Sequence, residues 1–302
     1  MDAVRDGAQV TNLLADWASV DGNRPPDLSA ARGAGLVGGI IRGDYSDWSD
    51  PTFARDADAV RRAGLVLGAY VMPDYSANAP SAAQQVMAAK RGAALVPGLD
   101  LPPWLDVEFS KGVAATGRGR TIAEDRTGLA GFIGDMLKAL DDAFGCRAGV
   151  YGSQRVVDTD DTDTLAGAAD AELADRWWWV ARYALPYHAE PGAAAAGLLP
   201  GPPVPRAAGD SDAWVCHQFQ GDAVHFPGFS ATVDVSRWHY FTCASPRGGT
   251  RWARYAKLLG VDPMCIASEM DEAIRAFQAR AGLSVDGVLG PVGHAHLGWL
   301  RA

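Results

Sequence analysis

The decapeptide from Leu101 to Ser110 (LPPWLDVEFS) carries two carboxylates, Asp106 and Glu108, two residues apart. On a β-strand, residues i and i+2 point to the same face, with Cα atoms about 6.5–7 Å apart. Each charge then opposes ionisation of the other, which keeps a proton available near neutral pH. Such a pair suits general acid–base cleavage of a glycosidic bond. By itself a D-x-E is also compatible with a strand end carrying two solvated acids. What separates the readings is the set of elements that must hold the pair.

Hydrophobic periodicity and turn residues predict eight strands. They cover residues 11–17, 36–42, 65–71, 104–108, 148–151, 177–183, 214–220 and 231–235. The first five alternate with helices predicted at 25–35, 53–64, 81–92, 123–144 and 168–174, and the last three do not. Residues 184–212, rich in Ala, Gly and Pro, read as a long surface loop. Alternating strands and helices imply a parallel sheet, and eight such strands can close into a barrel with its chemistry at the C-terminal strand ends. Asp16, Asp106, Glu108 and Asp234 all fall at predicted strand C-termini, so four acids converge on one cleft.

Composition narrows the function. The 302 residues hold 48% hydrophobic and 21% charged residues, enough for one barrel-sized domain and a small module. A formal net charge of −9 without a basic block argues against nucleic acid as the partner. No run of eighteen apolar residues predicts membrane insertion. Ten tryptophans and eight tyrosines offer faces for sugar rings as well as core packing. Cys146, Cys216, Cys243 and Cys265 form no C-x-x-C and read as structural thiols, with one disulfide open outside a cell. With no visible metal cluster, cofactor independence is expected.

In this order along the chain, the segments resemble the Chalaropsis-type lysozymes, glycoside hydrolase family 25. Asp16, Ser19 and Gly22 resemble its opening D-x-S…G segment, and Gly68 with Tyr70 its GxY strand. Trp104, Asp106 and Glu108 match W-x-D-x-E; Tyr151 and Ser153 resemble YxS; Trp179, Ala181 and Tyr183 resemble W-x-A-x-Y. His217, Gln218 and Phe219 stand where W-Q-Y is usual, and Val233, Asp234 and Ser236 resemble the closing V-D-x-[NS]. The resemblance implies an irregular (β/α)5(β)3 barrel that cuts the β-1,4 bond between N-acetylmuramic acid and N-acetylglucosamine. By it Glu108 is the proton donor and Asp16, Asp106 and Asp234 the other acids of the cleft. Tyr70, Tyr151, Trp179, Tyr183 and Gln218 are carried over as substrate-lining residues. His217 in place of tryptophan, bulky Trp17 beside Asp16 and the long 184–212 stretch depart from the pattern.

After a linker-like run from Ser245 to Thr250 the character changes. Phe277, Gln278, then Gly282, Leu283, Val285, Asp286, Gly287, Gly290 and Pro291 resemble the FQ…GLxVDGxxGP signature of a three-helix peptidoglycan-binding module. Phe277, Leu283 and Val288 are expected to form its small core, with Asp286 and Gly287 in a turn. The expected organisation is a barrel over 1–245 and an all-α module over 246–302. The expected partner is bacterial peptidoglycan, met by a monomer. The N-terminus has no signal-peptide pattern, which favours a phage endolysin held in the host cytoplasm before release to the wall; an extracellular enzyme is the other location. A wall-binding virion protein without activity, and a hydrolase of another amino-sugar polymer such as chitin, are the alternatives.

Overall fold

The computed structural model describes residues 13–22, 25–75, 79–94, 98–108, 126–153, 176–183, 214–223, 226–239, 241–242, 245 and 250–299. The predicted helix at 168–174, the 184–212 stretch and Cys243 lie outside the described residues. The strands are β1 (Leu13–Trp17), β2 (Leu36–Tyr45), β3 (Trp48–Ser49), β4 (Val66–Met72), β5 (Trp104–Val107), β6 (Gly149–Ser153), β7 (Trp178–Ala181), β8 (Trp214–Ala223) and β9 (Val233–Trp238). All but β3 form a closed barrel in the order β1-β2-β4-β5-β6-β7-β8-β9, with β9 returning to β1. The two-residue β3 folds back on the end of β2. This is the mixed α/β barrel expected from the sequence.

One strand differs from expectation. The last strand begins at Val233 and runs antiparallel to both β8 and β1. Only residues 224–232 separate it from β8, too few for the crossover of about a dozen residues that a parallel neighbour needs. Asp234 is therefore near the start of its strand, not at its C-terminal end. Because the strand is reversed, its start lies at the same mouth as the C-terminal ends of the others.

Alternation sorts side chains between the two faces of the barrel wall. On β5, Leu105 and Val107 face out onto helix α4 (Arg126–Phe144), in the cluster that contains Leu129, Ile133, Met136, Leu137 and Leu140. Each such fully buried side chain contributes about 1.5–3 kcal/mol by area. The helices α1 (Leu28–Gly33), α2 (Phe53–Arg62) and α3 (Ala82–Ala94) cover the wall elsewhere. The Asp27 carboxylate caps α1, accepting from the backbone N–H of Ser29 and Ala30 at 3.1 Å each. Inside the barrel, Trp104, Trp179 and Trp238 are among the residues that fill the floor. Gly149 makes room for them: a Cβ there would lie 2.4 Å from the Trp104 ring.

The C-terminal segment folds into three helices, α5 (Thr250–Leu259), α6 (Ala267–Arg280) and α7 (Pro291–Trp299), around Trp252, Tyr255, Met270, Ile274 and Phe277. Gln278 fixes the turn before α7. Its carboxamide donates to Asp286 Oδ1 at 2.7 Å and to the Val288 carbonyl at 3.0 Å, and accepts from the Gly287 N–H at 2.9 Å. Leu289, rather than Val288, is the fully buried residue. The reason is a short ladder absent from the all-α expectation. Val288–Leu289 (β11) pairs antiparallel with Phe241–Thr242 (β10), the chain just leaving the barrel.

The module thereby docks on the barrel floor, away from the mouth. His294 sits between Trp177, Trp238 and Tyr255, with ring centroids 4.7, 5.1 and 6.0 Å away. The Arg254 guanidinium covers the Trp177 ring and donates to the Arg176 carbonyl. Tyr255 hydrogen-bonds His294 Nδ1 at 2.9 Å, while Nε2 is buried without a hydrogen-bond partner among the described residues. Burial pushes the imidazole down to about 3 from its ordinary 6.5. The unfolded chain takes up a proton below pH 6.5 that the folded chain refuses until about pH 3. His294 therefore stabilises the docked module fully above pH 6.5 and progressively less below it, by about 1.4 kcal/mol per pH unit. Thermal melts of wild type and His294→Leu between pH 7 and 4 should converge as pH falls, and parallel curves would contradict this role.

Candidate active site

The mouth of the barrel encloses a cleft of about 210 Å³ lined by Asp16, Asp106, Glu108 and Asp234, with Arg42 and Tyr70 among the other wall residues. The same alternation that turns Leu105 and Val107 outward turns Asp106 inward, and Glu108 follows just past the strand end. Asp16 and Asp234 are cross-strand partners on β1 and β9. The structure thus brings together all four acids singled out in the sequence.

Gln218, on β8, ties two of them together. Its carboxamide nitrogen donates to both oxygens of Asp16 at 3.1 Å and to Asp234 Oδ2 at 3.2 Å. Its carbonyl oxygen accepts from the hydroxyls of Tyr151 at 2.7 Å and Tyr183 at 3.0 Å. At 1% exposure it lies behind the acids, with both ends of the carboxamide occupied. Tyr151 also donates to Glu108 Oε1 at 3.4 Å. Trp179 packs its ring 4.5 Å from Tyr151 and donates its N–H to Ser236 Oγ at 2.9 Å. Tyr70, Tyr151 and Trp179 line the cleft wall, Gln218 sits buried behind it, and the exposed Tyr183 reaches Gln218 through its hydroxyl.

The electrostatics follow from burial and crowding. Burial pushes the Asp106 carboxyl well above the usual range, and Glu108 and Asp16 push it further, with Arg42 opposing. Burial likewise raises Asp16 well above its ordinary value, reinforced by Asp234 and opposed by the Gln218 amide. Glu108 is raised by burial, against the hydrogen bond from Tyr151. The cluster thus holds protons that isolated carboxyls would release, and it titrates as a unit. Asp106 Oδ1 is buried with no hydrogen-bond partner among the described residues. A buried acceptor in that state is matched when a donor enters the cleft.

Two departures noted in the sequence turn their rings away from the cleft. The Trp17 ring points out of the barrel, where its N–H donates to Asp56 Oδ2 on α2 at 3.1 Å. His217 alternates with Gln218 and faces outward. Its Nε2 bonds to the Arg182 carbonyl at 2.8 Å, and burial pushes the imidazole down to about 4. Sequence reasoning missed Arg42. It ends an apolar run on β2 and reaches the same mouth, so the strand-end rule that selected Asp16 applies equally to a cation.

Solved structures that share the barrel's fold include three proteins, all distant in sequence. The modular autolysin LytC from Streptococcus pneumoniae is 17% identical, with a TM-score of 0.54 and coverage of 78% of this chain and 48% of that one. A family 25 glycosyl hydrolase from Bacillus anthracis is 16% identical, with a TM-score of 0.52 over 78% and 92% of the two chains. The catalytic domain of endolysin ply40, from bacteriophage P40 of Listeria monocytogenes, is 14% identical, with a TM-score of 0.51 over 77% and 95%. The chain spans about half the length of LytC. No curated protein matches it. The family described as "Putative peptidoglycan binding domain" matches residues 266–297, across α6 and α7. The barrel is thus similar in fold to a family 25 glycosyl hydrolase, and the segment behind it matches the family described as "Putative peptidoglycan binding domain".

Proposed function

We propose that the chain is a muramidase that cleaves the β-1,4 bond between N-acetylmuramic acid and N-acetylglucosamine in bacterial peptidoglycan. The observation that carries this reading is the pair Asp106 and Glu108 in the cleft, Asp106 buried with an unmatched oxygen and Glu108 at the mouth with its proton affinity raised. Glu108 protonates the glycosidic oxygen as the bond from C1 breaks. Ionised Asp106 stabilises the positive charge that develops on the sugar, or orients the 2-acetamido group for internal attack. The Glu108 carboxylate then takes a proton from the water that adds at C1, which restores the acid. Asp16 and Asp234 complete the field, and Tyr70, Tyr151 and Trp179 offer the wall against which sugar rings pack. Gln218 and Tyr183 serve by holding the acids and Tyr151 in place.

In this reading residues 1–245 cut and residues 246–302 grip the wall, without a cofactor. A phage endolysin, reaching the wall from the host cytoplasm, is the setting we favour; its support is the likeness in fold to one phage endolysin domain. A digest of purified peptidoglycan tests the chemistry. Borohydride reduction and mass spectrometry should show new muramitol ends. New glucosaminitol ends would make the enzyme a glucosaminidase. Sedimentation with walls and no release from any of several wall types would leave a binding protein.

A further inference from the structure

The cleft wall does not stop at the residues beside the acids. On the β2 side it is continued by the hairpin from β2 into β3. Tyr45 is the cross-strand partner of Met72 on β4 and of Trp48 on β3. Cross-strand partners present their side chains on the same face of a sheet. Met72 lines the cleft, so the row Met72, Tyr45, Trp48 carries that face outward along the rim. Arg42 joins the row. It also lines the cleft, and its guanidinium carbon lies over the Trp48 ring, 5.7 Å from the centroid.

A bulge makes this row possible. Arg42 is opposite Tyr70 and Asp44 is opposite Val71, so Gly43 is the extra residue. Without it Arg42 and Tyr45, three positions apart, would face opposite sides of the strand; with it both face the cleft. The Gly43 carbonyl accepts from the Asp50 N–H at 2.9 Å, and the Met72 carbonyl accepts from the Ser46 N–H at 2.9 Å. Ser46 opens the two-residue turn with a φ of 54°, the one positive φ outside glycine among the described residues. Asp44 points the other way, toward α3: its carboxylate accepts from Ser49 Oγ at 2.8 Å, and a Cβ on Gly92 of α3 would lie 3.2 Å from its Oδ2. Arg42 is itself held by Asp50 Oδ2, 3.2 Å from Nε and 3.0 Å from Nη2. The base on which the indole rests is therefore fixed.

Trp104, Trp179 and Trp238 in the barrel floor are 2% exposed or less, whereas Trp48 is 47% exposed. One face of its ring meets the guanidinium and the other is open. A flat apolar face that is already held in place loses little freedom when a ligand stacks on it. Trp48 is three strands from Asp106 on β5, about 14 Å by the inter-strand spacing. A ring on it is therefore not the ring being cleaved but one further along the same chain.

We propose that Trp48 is a sugar-stacking platform: the glycan strand leaves the acids over β4 and β2 and lays the apolar face of a further amino-sugar ring on the indole that Arg42 backs. The inference rests on the muramidase reading, which makes a glycan strand the occupant of the cleft.

The test begins with turnover of soluble glycan strands freed of their peptides, by full-length Trp48→Ala and Trp48→Phe. Trp48→Ala should raise KM about tenfold, the loss of one aromatic stacking contact. Its kcat should stay within about twofold of wild type, because binding is lost equally before and during the chemical step. Trp48→Phe keeps a flat ring and should bring KM back to within about threefold of wild type. A merely structural role would lower kcat and the melting temperature and leave KM unchanged. Acrylamide quenching of tryptophan fluorescence in full-length Glu108→Gln reads binding without turnover. The strands should reduce the quenchable fraction, and adding Trp48→Phe to that variant should abolish the reduction. If wild type releases no muramitol ends, the muramidase reading falls, while this protection still decides whether the hairpin holds a glycan. An unchanged KM in Trp48→Ala, or quenching that the strands do not alter, would overturn the proposal. So would a KM effect confined to strands that keep their stem peptides, which would give the indole to the peptide.

Discussion

Glu108→Gln should leave the barrel folded and lower the release of muramitol ends by about a hundred- to ten-thousand-fold, the range that a positioned general acid contributes. The amide fills the same space as the carboxyl and keeps an oxygen to accept from the Tyr151 hydroxyl, 3.4 Å from Glu108 in the wild type. What it lacks is the proton that the acid gives to the leaving oxygen and the carboxylate that later activates water. Near-wild-type melting with lost turnover, while the protein still sediments with walls, is the expected result. Turnover within threefold of wild type would remove Glu108 from the donor role.

The second large effect is expected at Gln218, buried behind the acids. Gln218→Leu removes one amide that bonds two carboxylates and two tyrosines. Hydrogen bonds to charged groups contribute about 1.5–3 kcal/mol each, and orphaned buried groups add their own cost. Asp16 loses the one interaction that lowers its proton affinity among the larger influences on it. It should then hold its proton to still higher pH. We expect a stability loss of about 3 kcal/mol or more. We also expect about a hundredfold loss of turnover, since displacing a reacting group by about 1 Å costs that much. Chemical denaturation and the peptidoglycan digest measure the two separately. A stability change below 0.5 kcal/mol would show that the hub carries little energy.

The acids were legible because strand alternation and strand-end position are local properties. Asp106 and Glu108 needed only the run from Trp104, and Asp16 only the run before it. The reversal of β9 was not read from the strand pattern, which is the same in either direction; the short connection after β8 carries that signal. The links from Gln218 to Asp16 and Tyr151 were not legible, because these partners are 202 and 67 residues away in the chain. Arg42 was hidden by an expectation of acids, although its position obeys the same rule. In the module, the sequence signature marked Phe277, but the burial of Leu289 depends on a ladder with Phe241–Thr242 that no local period announces.

That ladder, with His294 caged by Trp177 and Trp238, has a mechanical consequence. An anchor on a flexible tether lets a catalytic head sweep a volume of many sites before the anchor lets go. In the muramidase reading, the proposed anchor and the proposed cutting edge are at opposite ends of one body, joined by that ladder and the His294 cage. With the module gripping a strand, only bonds at one fixed stand-off and angle come into the cleft. That reading predicts release and re-seating after each cut, with the wall perforated at scattered points instead of being stripped along a single glycan.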